Sequence, residues 1–549
     1  MKFSFLPETP FFESKQLNER VYFLLLSFVL IFVAVIRYRL LDFPLERDEG
    51  EYAYMGQLLL QGIPPYKLAY NMKLPGTYGM YALIMGIFGE TTRGIHIGFL
   101  FLNLSTILIL FLFVKKLCNS FVGLMTAAAY GVYSLNPDVL GFAAHATHFV
   151  LFFSLFGIYL LLIASESKRS FLYFASGILF GLGFLMKQQA IYLILFSGFY
   201  FLYDSYEEKN NGKFNYRDFL IRGILLVFGT LLPFLLTIGI LFYAGVISSF
   251  WYWTFLYASK YAGMSSLFDG IKFFLAAFIY LSAGYKTLWI LIGLGLVLQL
   301  TIQFTKSRKI FLFLLFLFSF LTTTPGFVFR GHYFITFFPF AFIYFGISME
   351  FIRILLLRKF NIRLTTILVC ILFVLVFRFK THKEYYFKEN PIKLSRSIYG
   401  ANPFIEAIPI SEFIKNNTKE DERIIVLGSE PEIYFYSNRK SATGFIYMYP
   451  LMEVHPYSRE MQMNLVKDME TNTYSYLIYV NKNLKFTWGI LDNSEKYLLD
   501  WFEKNKSENY ELVGIAEILS QDETVYKWGV EAKEYKPKGD YYIEILKKK

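Results

Sequence analysis

The sequence predicts a polytopic α-helical membrane protein that ends in an α/β domain outside the membrane, and two features of its composition support this. Of its 549 residues, 55% are hydrophobic and only 18% are charged, whereas soluble proteins carry about 25% charged residues. The charges are also uneven, because 49 of the 97 lie in residues 383–549. We therefore assign residues 1–382 to a transmembrane module and residues 383–549 to a water-soluble domain, which excludes a soluble enzyme and a disordered chain.

A helix needs about 20 mostly apolar residues to cross a membrane, and the sequence predicts eleven such spans. The first, Val21–Ile36, lacks a small-residue cleavage pattern and is expected to be retained rather than removed as a signal peptide. The segment Phe273–Tyr285 is too short to cross, which indicates an interfacial or re-entrant position. The remaining spans are expected at 94–114, 119–136, 140–164, 170–187, 189–204, 219–244, 287–305, 309–327, 333–352 and 363–380.

Lys and Arg residues are concentrated in alternate connections between these spans, all on the side of the N-terminus. The connections contain Lys115-Lys116, Lys168-Arg169, Lys209 to Arg217, Lys306 to Lys309 and Arg353 to Arg363. Because cytoplasmic loops carry this excess, we expect a bacterial inner-membrane protein with a cytoplasmic N-terminus and an extracytoplasmic C-terminal domain. The net charge of +11 is thereby explained by membrane topology and lipid contact, and no nucleic-acid partner is expected.

The C-terminal domain is predicted to be α/β because apolar runs alternate with helical spacing of apolar residues. Strands are expected at Ile424–Leu427, Tyr476–Val480 and Tyr541–Leu546, and helices at Pro403–Asn416, Arg459–Asn472 and Ser494–Asn505. Residues 428–432 follow the first strand as a turn or as a contact with the acceptor, and we expect no catalytic group from this domain. The two cysteines, Cys118 and Cys370, lie at or inside apolar segments, so no disulfide framework is predicted.

The first external loop, about residues 41–93, concentrates acidic and basic residues among aromatic, Gly and Pro residues. On a helix that starts near Asp48, the side chains of Asp48, Glu51 and Tyr52 share one face, whereas Glu49 points about 100° away. A carboxylate backed by apolar side chains at a membrane surface suits general-base catalysis, since burial raises its pKa. The alternative is that these residues only cap an interfacial helix, because acidic residues favour helix N-termini.

Several cations lie on the external side, where positive charge is normally sparse. Lys73 immediately precedes a Leu-Pro-Gly turn, which restricts the backbone and can present the ammonium to a phosphate. Lys187 lies at the external end of the fifth span, and Arg330, His332 and Tyr333 lie at the external start of the tenth. Together they predict a phosphate site, with contact to lipid headgroups as the alternative.

The second external loop contains His145 and His148, which are three residues apart and are expected to share a helix face. Two histidines can begin a metal site, but no third ligand accompanies them locally. We therefore assign no metal or other cofactor and leave a requirement for a divalent metal open. An acceptor or headgroup contact and a structural role are the alternatives, and Asp138 is either a second acidic group of the site or a turn residue.

This combination resembles the glycosyltransferase C superfamily, in the branch of the protein O-mannosyltransferases and lipid A aminoarabinose transferases. Asp48-Glu49 match the acidic pair of the family's first external loop, and Lys73–Gly76 match its lysine-or-histidine/proline element. The HYF sequence at 332–334 is similar to a pattern of bacterial members. Tyr52, Tyr54 and a Gly-x-Pro-x-Tyr sequence ending at Tyr66 also follow the acidic pair.

The resemblance implies a membrane glycosyltransferase that transfers a hexose or pentose, with inversion, from a polyprenyl-phosphate donor to lipid A, an envelope glycan or a protein. Asp48 and Glu49 are the expected catalytic residues, with Asp48 as general base. Donor phosphate contacts are expected from Lys73, Lys187, Arg330, His332 and Tyr333, and sugar or acceptor contacts from Glu51, Tyr52, Tyr66, Asp138, His145 and His148. Many relatives carry another acidic residue where this chain has Ala144–His148.

The competing interpretation is a transporter or flippase of a lipid-linked or small solute. Such a protein would carry ionisable residues at mid-membrane depth, often with internal repeats. In this sequence the charged residues are concentrated at the external interface and no repeat is evident. Glycosyl transfer is therefore favoured.

Overall fold

A computed structural model describes residues 17–263, 266–283, 285–301, 304–360 and 383–549. They form two compact units, each assembled from separated stretches of the chain. Of the described residues, unit 1 contains those within Met1–Arg39, Phe99–Ile238 and Tyr261–Lys388, and unit 2 contains those within Leu40–Gly98, Gly239–Lys260 and Glu389–Lys549. The predicted first external loop thus belongs to the same unit as most of the C-terminal residues.

Helices dominate the first 360 residues. In chain order they are α1 (Glu19–Arg39), α2 (Arg47–Leu60), α3 (Gly76–Phe88), α4 (Thr92–Leu117), α5 (Ser120–Tyr133), α6 (Ala146–Ser167), α7 (Ser170–Met186), α8 (Ile191–Asn210), α9 (Tyr216–Tyr243), α10 (Ile247–Trp251), α11 (Ala258–Ala262), α12 (Leu267–Ser282), α13 (Lys286–Thr301), α14 (Lys306–Leu321) and α15 (Phe338–Phe360). A π-helical segment, Tyr252–Tyr257, joins α10 to α11, and a 3-10 turn, Gly331–Thr336, precedes α15.

Within the described residues, five helices are long and apolar enough to cross a membrane, namely α1, α4, α6, α9 and the Phe338–Leu357 part of α15. The helices α12 and α13 are bent by 111° at a short break and together would make a sixth. This bend is that of a broken span or a re-entrant loop, which fits the segment predicted at Phe273–Tyr285. The coarser part of the predicted fold class, a mostly helical protein with several apolar helices, is confirmed, and its location in a membrane stays a prediction.

The number of spans stays a prediction. Helices occupy the positions of ten predicted spans, and the eleventh, 363–380, lies outside the described residues. Four of the ten are shorter than the roughly 20 residues that a helix needs to cross a membrane: α5 has 14 residues, α7 has 17, and α13 and α14 have 16 each. Length alone therefore does not assign them to the membrane.

Small residues allow the helices of unit 1 to approach one another closely. A Cβ atom at Gly177 would lie 2.3 Å from the carbonyl oxygen of Leu226, and one at Gly181 would lie 2.3 Å from that of Thr230. Helices in membranes pack through such small-residue positions. The glycines of α7 thus serve packing against α9.

Arg37, at the end of α1, is buried and holds the turn that carries Asp138. Its Nε donates to Asn103 Oδ1 at 2.9 Å, and its Nη2 donates to the carbonyl oxygens of Ser134 and Gly141 at 2.9 and 3.0 Å. A buried guanidinium needs hydrogen-bond acceptors, and these three fix residues 134–141 to α1 and α4.

Unit 2 contains a six-stranded sheet. The strands are β1 (Arg423–Leu427), β2 (Lys440–Ser441), β3 (Tyr476–Val480), β4 (Tyr510–Ile518), β5 (Thr524–Trp528) and β6 (Tyr542–Lys548), in the order β2-β1-β3-β6-β4-β5. The first three are parallel, and β6 runs antiparallel to both β3 and β4. Helices Ala407–Asn416, Ser458–Thr471 and Tyr497–Asn509 accompany the sheet. The predicted α/β character is confirmed, since three strands and three helices lie where the sequence indicates.

The strand β1 is buried along Ile424–Leu427 and leads directly into the segment 428–432. Helix Glu432–Ser437 begins at the end of this segment. A Cβ atom at Gly50 of α2 would lie 2.6 Å from the Cβ of Glu432, so only glycine permits this approach. The segment after β1 is therefore packed on the first turns of α2.

Candidate active site

The first turn of α2 is fixed by Glu46. This residue is extended, and its carboxylate accepts a hydrogen bond from the backbone N–H of Glu49 at 2.9 Å. The helix therefore begins at Arg47, and the prediction of a helix that starts near Asp48 is confirmed. The capping carboxylate is that of Glu46, so Asp48 projects its side chain from the first turn without serving as the cap.

Lys73 lies between two carboxylates of α2. Its Nζ is 2.8 Å from Asp48 Oδ1 and 2.5 Å from Glu51 Oε2, which confirms that the two acidic residues share a helix face. The carboxylates differ in exposure, because the side chain of Asp48 is 25% exposed and that of Glu51 is 0% exposed.

Glu51 is held by two tyrosine hydroxyls in addition to Lys73. Tyr78 donates to Glu51 Oε1 at 2.7 Å. The hydroxyl of Tyr447 lies 3.0 Å from Glu51 Oε2 and 2.9 Å from the carbonyl oxygen of Arg47. Tyr447 thus brings a group from the C-terminal part of the chain to this helix, a contact that the sequence did not predict.

Lys73 is also fixed through its backbone and through an aromatic ring. The hydroxyl of Tyr66 donates to the carbonyl oxygen of Lys73 at 2.8 Å, and the ring centroid of Tyr52 lies 4.5 Å from its Nζ. Such a ring contributes a cation–π attraction. Both tyrosines are buried and support the lysine, and their predicted contact with sugar or acceptor remains a prediction.

Burial and charge act in opposite directions on the ionisation of this group. Burial alone would lower the pKa of Lys73, but the carboxylates of Asp48 and Glu51 raise it well above its ordinary value. Burial raises the pKa of Glu51, while the charge of Lys73 acts to lower it. Lys73 is thus a permanent cation that two acidic side chains share.

Glu49 points to the other side of α2, as predicted, and is fully buried. Its Oε1 lies 3.1 Å from Nε2 of His96, whose Nδ1 lies 2.9 Å from the carbonyl oxygen of Leu41. Because a carbonyl only accepts, Nδ1 must carry hydrogen. A hydrogen bond between Nε2 and Glu49 then requires a second proton, which is carried either by Nε2 or by the carboxylate of Glu49.

Arg47 anchors the segment after β1. Its Nη2 lies 3.0 Å from Glu430 Oε1, and its Nε donates to the carbonyl oxygen of Ser429 at 2.5 Å. Glu430 and Glu432 are both 0% exposed, and neither carboxylate oxygen of Glu432 has a hydrogen-bond partner among the described residues. Burial, reinforced by the charge of Glu430 and opposed by Arg47, raises the pKa of Glu432 well above its ordinary value.

Four of the predicted residues meet in pairs within unit 1. The ring centroid of Tyr333 lies 4.1 Å from the Nζ of Lys187, and the rings of His145 and His332 are stacked with centroids 4.5 Å apart. Two neighbouring imidazoles can supply two ligands to a metal ion. Arg330 is the extended residue that leads into the turn bearing His332 and Tyr333.

His148 and Asp138 have other neighbours in unit 1. Because α6 begins only at Ala146, His145 is its capping residue, and His148 instead packs edge-on against Phe99 with centroids 4.6 Å apart. Asp138 lies in a short 3-10 turn, and its Oδ1 accepts a hydrogen bond from Tyr280 at 3.3 Å. A turn residue was one of the two interpretations of Asp138.

The missed residues of the site are Tyr78, Tyr447, His96, Glu46 and Arg47. Glu46 and Arg47 stand directly before Asp48 in the sequence and could have been considered as the cap and its neighbour. Nothing local to Tyr447 or His96 indicates their contacts, because these depend on the tertiary fold.

Comparison with known proteins supports the resemblance predicted from the sequence. Residues 75–236 match the family model of dolichyl-phosphate-mannose-protein mannosyltransferases. The structure of ArnT from Cupriavidus metallidurans bound to undecaprenyl phosphate is similar with a TM-score of 0.58 and 11% identity, over 96% of this chain and 98% of that one. Its apo state gives a TM-score of 0.55 and 13% identity, over 95% and 98%.

A second solved protein is similar over a smaller share of its own length. The archaeal oligosaccharyltransferase AglB from Archaeoglobus fulgidus, in complex with an inhibitory peptide and a dolichol-phosphate, gives a TM-score of 0.52 and 11% identity, over 95% of this chain and 76% of that one. No curated protein sequence matches. The predicted resemblance to the glycosyltransferase C superfamily is confirmed, and at these identities the structural likeness establishes a shared fold.

Proposed function

We propose that this chain is a membrane glycosyltransferase that transfers a hexose or pentose from a polyprenyl-phosphate donor to an extracytoplasmic acceptor. The family model and the fold of ArnT, whose structure contains undecaprenyl phosphate, support a lipid-phosphate donor. The observation that carries the proposal is the contact of 2.8 Å between Asp48 and Lys73 at the start of α2. It joins a carboxylate that can accept a proton to a cation that can bind a phosphate.

In the proposed reaction, Asp48 takes the proton of an acceptor hydroxyl. The acceptor oxygen then attacks the anomeric carbon from the face opposite the phosphate, while the bond between that carbon and the phosphate oxygen breaks. The electron pair leaves with polyprenyl phosphate, and Lys73 stabilises its negative charge. A single displacement of this kind inverts the configuration at the anomeric carbon.

Glu49 is proposed to be a positioning residue, which holds α2 in place and does not contact the substrate. Its carboxylate is 0% exposed and faces His96, whereas a catalytic base must come within hydrogen-bond distance of the acceptor. The side chain of Asp48, one residue earlier, is 25% exposed and is therefore the more accessible of the two. Of the acidic pair, Asp48 is therefore the proposed base.

The remaining assignments made from the sequence are part of the same proposal. Further donor contacts would come from Lys187, Arg330, His332 and Tyr333, and the acceptor is lipid A, another envelope glycan or a protein. The protein would lie in the bacterial inner membrane, with its N-terminus in the cytoplasm. Residues 1–382 would carry the transmembrane module and residues 383–549 an extracytoplasmic domain.

The Asp48→Asn variant tests the proposal, because it keeps the shape of the side chain and removes the basic oxygen. We expect turnover of a labelled lipid-linked sugar by the purified variant to fall by about 100-fold or more, with an unfolding temperature close to that of the wild type. Wild-type turnover in Asp48→Asn would refute the assignment. Glu420→Gln, which neutralises an exposed acidic residue, is the matched control and should retain full turnover.

The donor sugar and acceptor can be found by deleting the gene and comparing envelope lipids, glycans and proteins by mass spectrometry. The proposed function predicts the loss of one sugar mass from one of these classes. A deletion that changes the uptake or export of a solute, and leaves every glycan unchanged, would instead support a transporter.

A further inference from the structure

The two carboxylates that share Lys73 are not equivalent. The side chain of Asp48 is 25% exposed, whereas that of Glu51 is 0% exposed. Both lie within 2.8 Å of the same ammonium nitrogen. An ammonium has three N–H donors, and two of them are directed to these carboxylates.

Glu51 cannot leave Lys73 without loss of other interactions. Its Oε1 accepts from Tyr78, and its Oε2 lies within hydrogen-bond distance of both Lys73 and Tyr447. Moving this carboxylate would leave the buried hydroxyl of Tyr78 without its acceptor and would remove one of the two acceptors of Tyr447, which costs free energy. Asp48 is the more exposed partner and is located on the first turn of the helix. It is therefore the carboxylate that an incoming anion can displace.

We propose that Glu51 is the fixed partner of Lys73, and that the phosphate of the donor displaces Asp48 from Lys73 and thereby activates it as the base. This inference rests on the proposed function and gives Glu51 the role of a positioning residue. A carboxylate that loses a neighbouring cation becomes a stronger base. Asp48 would thus gain its full basicity only after the donor is bound, which couples donor binding to proton abstraction.

In its ionised form, Glu51 sets the net charge of the group around Lys73. Two carboxylates and one ammonium leave one excess negative charge, so a bound phosphate and Asp48 repel each other and separate. Replacing Glu51 by Gln removes this excess. Lys73 could then hold the phosphate and Asp48 together, with Asp48 kept as a weak base.

The Glu51→Gln variant is therefore expected to change donor binding and catalysis in opposite directions. The dissociation constant for undecaprenyl phosphate, measured by its stabilisation of the full-length protein in detergent, should fall by about 5-fold or more, because two unit charges about 4 Å apart interact with about 1 kcal/mol even in bulk water. The kcat should also fall, by about 10-fold. Glu51→Asp keeps the charge and should restore the wild-type dissociation constant.

Three controls separate the charge of Glu51 from its packing. Tyr78→Phe removes a hydrogen bond to Glu51 without changing charge and should leave the dissociation constant unchanged. Lys73→Met should weaken binding of undecaprenyl phosphate by 10-fold or more. Glu420→Gln removes an exposed negative charge and should change neither quantity.

The outcomes also separate this inference from the proposed function. If undecaprenyl phosphate does not bind the wild-type protein, the proposed function fails. If it binds, but Glu51→Gln weakens binding or leaves both constants unchanged, the proposed function stands and the role of Glu51 is refuted. A variant that lowers kcat and weakens binding together would indicate a structural role only, which overturns the inference as well.

Discussion

Helix α2 contributes side chains to two clusters of oppositely charged residues, and the carboxylates of these clusters are held differently. In the Lys73 group, formed by Asp48, Glu51 and Lys73, one carboxylate is 25% exposed. In the Arg47 group, formed by Arg47, Glu430 and Glu432, both carboxylates are 0% exposed. The two cations, Arg47 and Lys73, are 26 positions apart in the sequence, and Asp48 and Glu51 lie between them. The surroundings of the two groups nevertheless differ.

This difference separates a group that can exchange a partner from one that cannot. The guanidinium of Arg47 donates to Ser429 and Glu430 at the same time, and a planar fork of donors holds such a geometry. An ammonium is a point charge on a flexible chain, so Lys73 can accept a new anion without unfolding its surroundings. We conclude that the Arg47 group fixes α2 to the segment after β1, and that the Lys73 group is available for chemistry.

The strongest test of this comparison is Arg47→Met, which removes the cation and keeps much of the side-chain length. Glu430 and Glu432 would remain buried without a positive neighbour, and the loss of one partner from a buried ion pair costs about 3–5 kcal/mol. We expect a clear fall in the unfolding temperature, measured in detergent. Lys73→Met leaves the buried carboxylate of Glu51 without its cation and should also lower the unfolding temperature. Unlike Arg47→Met, it also removes the proposed phosphate contact and should therefore cause a large loss of turnover.

A variant that also removes the acidic charges provides the control. If the cost comes from unpaired carboxylates, then Arg47→Met combined with Glu430→Gln and Glu432→Gln should recover part of the lost stability. Equal stability of Arg47→Met and the wild type would contradict the structural role of the Arg47 group.

Much of the fold could be predicted because it depends on local patterns. The apolar runs of β1 and β3 are buried along almost their whole length, and their residues signal a strand without reference to any partner. The strand β5 was not predicted, because each of its residues is half-buried and the sequence TVYKW carries no apolar run. Span lengths were harder to predict, since α5 with its 14 residues ends earlier than its apolar composition suggests.

In the candidate site, too, only the features that depend on local sequence could be predicted. The shared face of Asp48 and Glu51, and the opposite direction of Glu49, follow from the 3.6-residue period of a helix. Tyr78 and Tyr447, which fix Glu51, lie 27 and 396 positions away from it along the chain. Contacts across such separations depend on the tertiary fold. The sequence therefore predicts which acidic residues face the same way, but not which one is held in place.

A second test concerns the proton on Glu432. Burial raises its pKa well above the ordinary value, with a further increase from Glu430 and Glu46 and a decrease from Arg47. In the unfolded chain a glutamate releases its proton at about pH 4.3. Above that pH the folded state retains a proton that the unfolded state has lost, so the stability of the wild type falls as pH rises until the pH passes the folded-state pKa.

Glu432→Gln removes this pH dependence while keeping the shape of the side chain. We expect the variant and the wild type to unfold at similar temperatures near pH 4, and the variant to be more stable by about 1–3 kcal/mol at pH 9, the scale of an unsatisfied buried polar group. The measurement is thermal unfolding in detergent across this pH range. The exposed Glu420→Gln should follow the wild type at every pH, and a constant difference for Glu432→Gln would show that ionisation is not the cause.

The smallest expected effect distinguishes the two members of the acidic pair. In Glu49→Gln the amide N–H can donate to Nε2 of a neutral His96 while Nδ1 still donates to the carbonyl oxygen of Leu41. Both hydrogen bonds of His96 are therefore kept, without the extra proton that the contact with Glu49 requires. We expect a loss of stability below about 1 kcal/mol and a turnover within about 10-fold of the wild type. Glu49→Leu, which leaves His96 without its partner, should cost more in both. A loss of turnover in Glu49→Gln as large as that in Asp48→Asn would show that the buried carboxylate takes part in catalysis, and the distinction between an exposed base and a buried positioning residue would be wrong.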